Sequence, residues 1–310
     1  MTINTLQNII LFMIAVLIWG STWLVITFQL GQVHPLVSVF YRFAIASSIL
    51  LIYAKWKNLF TPLPRKYHLL LAVQGICLFG LNYWAVYQGE HYITSALAAV
   101  VSTSIIYLNI LFGWLLLGKP VAKEVLGGAV IGVLGIILLF LPELSKSEMN
   151  ELVYWGLGLV LGGSVLASLG NITSAYTQKS GISVTHANAL SMSYATVFLA
   201  LMILSTDLQF SFEFTFEYIT SLIYLAVFGS VIAFWAYLSL VGNIGADKAG
   251  YAVLVYPAIA LILSSMYEDY LWTWQSFLGL ALIVFGNLIA MNKWQQIGLT
   301  LRIAKTRIRG

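Results

Sequence analysis

Residues 153–176 read VYWGLGLVLGGSVLASLGNITSAY, a run without a single charged side chain. A helix rising about 1.5 Å per residue needs about 20 apolar residues to cross a hydrocarbon core roughly 30 Å thick. This run meets that length, and nine others along the chain resemble it. Apolar stretches fall near 8–29, 35–54, 67–88, 93–117, 124–141, 153–176, 184–206, 218–241, 248–267 and 273–292. In hydrocarbon every backbone polar group must pair within the protein, so each stretch is expected as a helix. The fold class read from the sequence is therefore an all-α integral membrane protein with ten transmembrane spans.

Composition agrees. The chain is 60% apolar and 8% charged, whereas a soluble domain carries about 25% charge. The formal net charge of +4 could point to nucleic acid, but its distribution points to membrane topology and no nucleic-acid partner. With the N-terminus inside, Lys55, Lys57, Arg65, Lys66, Lys119, Lys123, Lys179 and Lys248 fall on the cytoplasmic side. Lys293, Arg302, Lys305, Arg307 and Arg309 of the tail join them. Lys146 alone falls outside, and Arg42 lies within span 2. Nine acids, among them Glu90, Glu268 and Asp269, are counted to the outer side. The Lys/Arg bias places both termini in the cytoplasm. The first stretch lacks a basic leader and a small-residue cleavage site, and is read as a retained span. The tail after residue 292 is either a lipid-binding amphipathic helix or a solvated topology anchor.

Sliding the chain against itself by 151 residues lays span 1 on span 6 and span 5 on span 10. Trp84-Ala85 then meets Trp235-Ala236, Gly128 and Gly135 meet Gly279 and Gly286, and Ala98 meets Ala249. Two halves of five spans must cross in opposite directions, the inverted-repeat layout of many carriers. The expected units are 1–145, 146–292 and a basic tail, 293–310.

Short motifs carry a family likeness. Trp19-Gly20-Ser21 stands in span 1, and Tyr41-Arg42-Phe43 follows Pro35 in span 2. Glu268-Asp269 precedes Trp272-Thr273-Trp274-Gln275-Ser276-Phe277-Leu278-Gly279, with Gly286 seven residues on. The pattern resembles the EamA-type members of the drug/metabolite transporter superfamily, over residues 8–292. That resemblance implies a ten-helix carrier with a central cavity lined by spans 1, 3, 4, 6, 8 and 9. It also implies amino acids or related compounds as substrate, export as direction and the inner membrane of a prokaryote as location. Two departures bear on the symmetry of gating: Ile106-Tyr107 replaces a proline midway along span 4, whereas span 9 keeps Pro257, and Gly118-Lys119 replaces a Gly-Glu pair.

Candidate site residues come from polar or aromatic side chains inside spans. Ser164, Ser168, Asn171, Ser174 and Gln178 share one helical face, either a cavity wall or a packing face invited by Gly158 and Gly162. Asn82 in span 3 and Ser102 in span 4 offer hydrogen bonds to neighbouring helices or to substrate. Trp19, Tyr83, Trp84, Tyr107, Trp235, Tyr251 and Tyr256 lie inward of the interfacial belts, as ligand walls or as filler. The substrate site so drawn comprises Trp19, Asn82, Tyr83, Ser102, Asn171, Trp235 and Tyr251, with Arg42, Asp247 and Pro257 structural or gating. Arg42 needs a partner or water, since a charge inside a span costs several kcal/mol. It either meets a substrate carboxylate or staples span 2 to a neighbour.

The sequence shows no mid-membrane Asp or Glu, which counts against proton antiport of cationic drugs and leaves diffusion, exchange or another coupling group. It shows no phosphate-binding loop, metal cluster or nucleophile elbow, so no enzyme, cofactor or metal is expected. Cys77 is the only cysteine and is read as packing. A passive channel or a lipid-handling membrane protein are the alternatives. Expected partners are a small metabolite and membrane lipid; Gly128-x-x-x-Gly132 packs either within one chain or across a homodimer.

Overall fold

The computed structural model describes residues 3–118, 123–145, 151–244, 251–268 and 272–290, and they are all-helical. The helices are α1 (Ile3–Thr27), α2 (Pro35–Trp56), α3 (Arg65–Gln74), α4 (Asn82–Gly89), α5 (Ser95–Ser102), α6 (Ile105–Leu117) and α7 (Lys123–Ser145). They continue with α8 (Glu151–Lys179), α9 (Val184–Leu204), α10 (Phe216–Tyr224), α11 (Ala233–Ile244), α12 (Tyr251–Tyr267) and α13 (Trp274–Ala290). Two π-helical segments, π1 (Gly75–Leu81) and π2 (Leu225–Ile232), join α3 to α4 and α10 to α11 without a break. Among the described residues seven helical segments are long and apolar enough to cross a membrane, and three more are apolar but shorter. Asp247, Lys248 and the tail lie outside the described residues, so the gating role expected of Asp247 does too.

Helix starts follow the sequence. His34 precedes Pro35, and its Nδ1 accepts a hydrogen bond from Leu36 N, with proline in the first turn where its missing N–H is harmless. Thr94, Ser183 and Thr215 cap α5, α9 and α10 through their hydroxyls.

The chain forms two compact units. The larger contains residues 1–105 and 150–270, the smaller 106–149 and 271–310. Each draws on both halves of the chain. In the smaller unit α7 packs on α13 through glycine. A Cβ on Gly279 would stand 2.8 Å from the Gly135 carbonyl oxygen, and one on Gly286 would strike the Gly128 and Gly132 backbone. The Gly128-x-x-x-Gly132 pair is therefore used within the chain. Tyr107, read from the sequence as a ligand wall or as filler, lies over Gly132 in this unit.

In the larger unit α2 and α9 hold the centre of the core, with Val37, Phe43 and Ala46 fully buried beside Met192, Ala195 and Leu199. Lipid is as apolar as leucine, so such helices are joined by close contact more than by escape from water. Small residues set how close they come. Gly156, Gly163 and Gly170 of α8 lie seven apart and receive span 3: a Cβ on them would run into Tyr92, Asn82 and Leu78 respectively. Gly158 and Gly162, which the sequence offered as the basis of the packing alternative, have nothing within 4 Å and face away.

Both π segments obey the 151-residue lag. Adding 151 to 75–81 gives 226–232, and π2 covers 225–232. The helix flanks match as well: 65 and 82 map onto 216 and 233, where α10 and α11 start. Gly75, opening π1, meets the backbone of Ser191 where any Cβ would overlap its carbonyl oxygen. Gly75→Ala is expected to destabilise the solubilised protein by about 1–3 kcal/mol, the range for overpacking. Gly158→Ala, with open space around it, should be neutral or gain up to about 1 kcal/mol of helix propensity. Thermal unfolding in one detergent compares the two, and equal losses would refute the packing account.

Candidate functional site: a buried arginine in an aromatic cluster

The larger unit gathers its polar interior around Arg42, which is 1% exposed. Arg42 comes from α2, and its Nε donates to Ser230 Oγ at 3.0 Å while Nη1 donates to Tyr87 Oη at 3.2 Å. The guanidinium lies 4.4 Å from the ring centre of Tyr83 and 5.6 Å from that of Phe43. Its hydrogen-bond partners are neutral hydroxyls. Cation–π contact with a desolvated ring contributes about 2 kcal/mol, less than removing a cation from water costs. The cation is thus solvated by protein but not neutralised by its partners.

The π2 segment makes this possible. Its widened turn leaves Ser230 to donate to Leu225 O, five residues back, at 3.0 Å while accepting from Arg42. Beside it, Gly229 leaves the space for the guanidinium: a Cβ there would stand 3.2 Å from Arg42 Nη2 and 2.9 Å from Thr22. Irregular π turns are rare and concentrate at functional sites.

Aromatic rings surround this centre. Trp19 Nε1 donates to Gly229 O at 3.3 Å, and its ring lies 5.3 Å from Phe234 and 5.1 Å from Tyr237. Trp23 stacks on Tyr256 at 6.0 Å, next to Ala99 of α5. Gly20, in the Trp-Gly-Ser motif, lets α1 sit against α12, since a Cβ would stand 2.7 Å from Ile259 Cβ. Ser21 bonds Tyr224 Oη at 2.7 Å.

The structure brings Trp19, Tyr83 and Arg42 together, with Tyr256 nearby. Asn82 is half-buried, and its Nδ2 donates to Leu78 O inside π1, at 3.1 Å. Its carbonyl faces Gly163 of α8. Asn171 and Ser102 are half-buried on α8 and at the end of α5. Pro257 is buried within α12, while the Tyr251 side chain lies outside the described residues. Trp235 does not join the cluster. It is 56% exposed and lines an outward groove with Leu6, Gln7, Ile10, Leu11 and Ile14 of α1. Phe234 and Tyr237 take the inward positions instead. The sequence held the signal, because Phe234 is the lag partner of Tyr83.

Glu90 was also missed. Counted to the outer side, it caps α4 and is 6% exposed, with both carboxyl oxygens shut from solvent and without a hydrogen-bond partner. Burial pushes its pKa well above the usual carboxyl range. The negative charge of Glu268 pushes the same way, and Arg42 opposes both. Glu268 itself accepts from the N–H of Ser95 at 3.2 Å and from the Ser95 hydroxyl, at the first turn of α5.

These features define a multi-pass, all-helical membrane protein with a polar centre. The EamA-like transporter family model matches residues 6–141 and again 154–292. The chain belongs to the EamA-like transporter family. It is 27% identical over 296 residues to protein PagO of Salmonella typhimurium, covering 91% of this chain and 93% of PagO. It is 29% identical over 281 residues to the uncharacterized inner membrane transporter YedA of Escherichia coli K12, covering 90% and 89%. A solved crystal structure of 18% identity superposes with a TM-score of 0.68 over 94% of this chain and 98% of the other. That likeness shows the fold.

A carboxyl whose pKa is raised on folding binds its proton more tightly folded than unfolded. Its contribution is full below the unfolded pKa and is lost as pH rises through the folded one. Parent stability should therefore fall between mildly acid and alkaline pH. Glu90→Gln should flatten that fall and match the parent near pH 4, read by thermal unfolding across pH. Parallel profiles would refute the buried neutral carboxyl.

Proposed function

We propose that the chain is a secondary carrier of a small metabolite bearing a carboxylate, an amino acid or a related compound, working by alternating access. The reading includes ten spans, both termini in the cytoplasm, residence in a prokaryotic inner membrane and net export. Two five-span repeats, 1–145 and 146–292, run in opposite directions. The double match of the family model and the recurrence of the π segments at one lag support the repeat.

One observation carries the substrate class: Arg42 is a buried cation whose hydrogen-bond partners are all neutral, set among aromatic rings. A carboxylate fits its planar fork through paired charge-assisted bonds. Trp19, Tyr83, Phe234, Tyr237 and Tyr256 then supply walls for the rest of the molecule, and the half-buried Asn171 and Ser102 are kept in the proposed site as hydrogen-bonding groups. Trp235 and Asp247 are left out. Alternating access requires paths that open in turn, and π1 and π2 are irregular turns of the kind found at functional sites, placed at matching points of the two halves.

The test is counterflow. Proteoliposomes loaded with an unlabelled amino-acid pool receive the same pool labelled, and mass spectrometry reports what enters. Saturable entry that needs the same compound inside is expected; conductance without saturation would indicate a channel. Arg42→Lys, which keeps charge but loses the fork and its Ser230 contact, should reduce uptake of label by about tenfold, equivalent to about 1.4 kcal/mol. Gly158→Ala is the control. Parent-like kinetics in a folded Arg42→Lys protein would remove Arg42 from the site.

A further inference from the structure

We propose that Glu90 binds the proton for which the carrier exchanges its substrate, the substrate ammonium and the proton taking turns on one carboxylate. This rests on the carrier reading above. Glu90 is nine-tenths buried and neither carboxyl oxygen has a partner, although the chain places a hydroxyl-bonded acid and a cation near it. Partnerless buried oxygens on an ionisable group call for a proton, a water or a ligand, and a group that also sits against a second carboxylate favours the proton.

The groups that face Glu90 assign the roles. Arg42 approaches from α2, and Tyr87, bonded to Arg42, lies one turn before Glu90 on the same helix. Glu268 stands at the end of α12, tied to Ser95. His91 follows Glu90 in sequence, and His34 before α2 feels His91. From α8, Gly156 and Val160 meet Gly89 and bring no ionisable group. Of the two carboxylates, Glu268 has its donors and Glu90 has none. Burial and the Glu268 charge both favour the proton on Glu90. A zwitterion then has complementary ends in this interior: its carboxylate at Arg42, its ammonium at ionised Glu90.

The exchange balances. On the cytoplasmic-facing side the Glu90 carboxyl gives its proton to water, and the carboxylate accepts an N–H of the ammonium. Facing outward, a proton from water returns to the carboxylate and the ammonium is released. One proton enters for each zwitterion that leaves, so one positive charge moves inward per turnover. Placement at the outer end of span 3 suits a group that loads its proton outside.

Proteoliposomes with the membrane potential clamped, the interior one pH unit more acid and the isotope-labelled amino-acid pool outside test this. One-for-one exchange should concentrate a transported label inside by about tenfold, since one pH unit is 1.36 kcal/mol. Glu90→Gln should bring that ratio to about one. Glu90→Asp should keep accumulation and shift the pH dependence of its rate to lower pH, a change that a merely structural carboxyl would not produce. Parent-like accumulation in Glu90→Gln, an unshifted Glu90→Asp profile, or label concentrated on the alkaline side would overturn the exchange. Parent protein that moves no label under any gradient would sink the carrier reading itself, which separates the two failures.

Discussion

A charge inside hydrocarbon must be solvated by the protein, and Arg42 sets the terms on which the surrounding helices meet. Its guanidinium needs hydrogen-bond acceptors, an aromatic face and room. Acceptors come from Ser230 and Tyr87, the face from Tyr83, and room from Gly229. They come from two spans: Tyr83 and Tyr87 stand one turn apart in span 3, and Gly229 and Ser230 are adjacent in span 8. Neither span is a regular helix throughout: π2 holds Gly229 and Ser230, and π1 ends two residues before Tyr83. A π turn widens the helix by one residue and frees a carbonyl from its usual partner. Leu225 O is met by the Ser230 hydroxyl and Leu78 O by the Asn82 amide. The polar side chains of these spans thus serve the backbone first, and the arginine through it.

Much of the fold was legible because the membrane leaves few choices. Apolar runs of spanning length and the 151-residue lag follow from composition and position alone. Side-chain facing was less legible, and Trp235 shows why. Trp235 is the lag partner of Trp84, and among the adjacent aromatic residues at the start of α11 the sequence does not say which ring turns inward. The ring that reaches the centre is Phe234, one residue earlier. The same limit applies to glycine. Sequence spacing cannot tell Gly158 and Gly162, which face open space, from Gly156, Gly163 and Gly170, which touch span 3. Nothing marks the difference except the neighbour.

Glu90 escaped for another reason. Hydropathy assigns a residue to the outside when the apolar run ends, and Glu90 directly follows the Arg65–Gly89 span. Burial near a helix end depends on what covers it, here the packing of Gly89 on α8 and the approach of α5 and Glu268. A carboxyl at the edge of the sequence-defined membrane is therefore inside the protein. The absence of an acid midway along any span does not remove carboxylate chemistry from the interior.

The two halves also reach one irregularity by different chemistry. Pro257 withholds an N–H from the Val253 carbonyl within α12, which loosens that helix. Its lag partner is Ile106, and a missing proline there would leave span 4 a straight rod. Yet span 4 is interrupted at Thr103–Ser104, between α5 and α6, close to where the lag would put the loosened carbonyl. Thr103 turns its hydroxyl back onto Val100 O at 2.7 Å, and the Ser104 hydroxyl is buried without a partner. Hydroxyl side chains that compete for backbone carbonyls do in the first half what an imino ring does in the second. A weak point shared by both halves through unrelated residues is a property of the architecture, and Arg42, tied to only one half's π segment, is what makes the interior asymmetric.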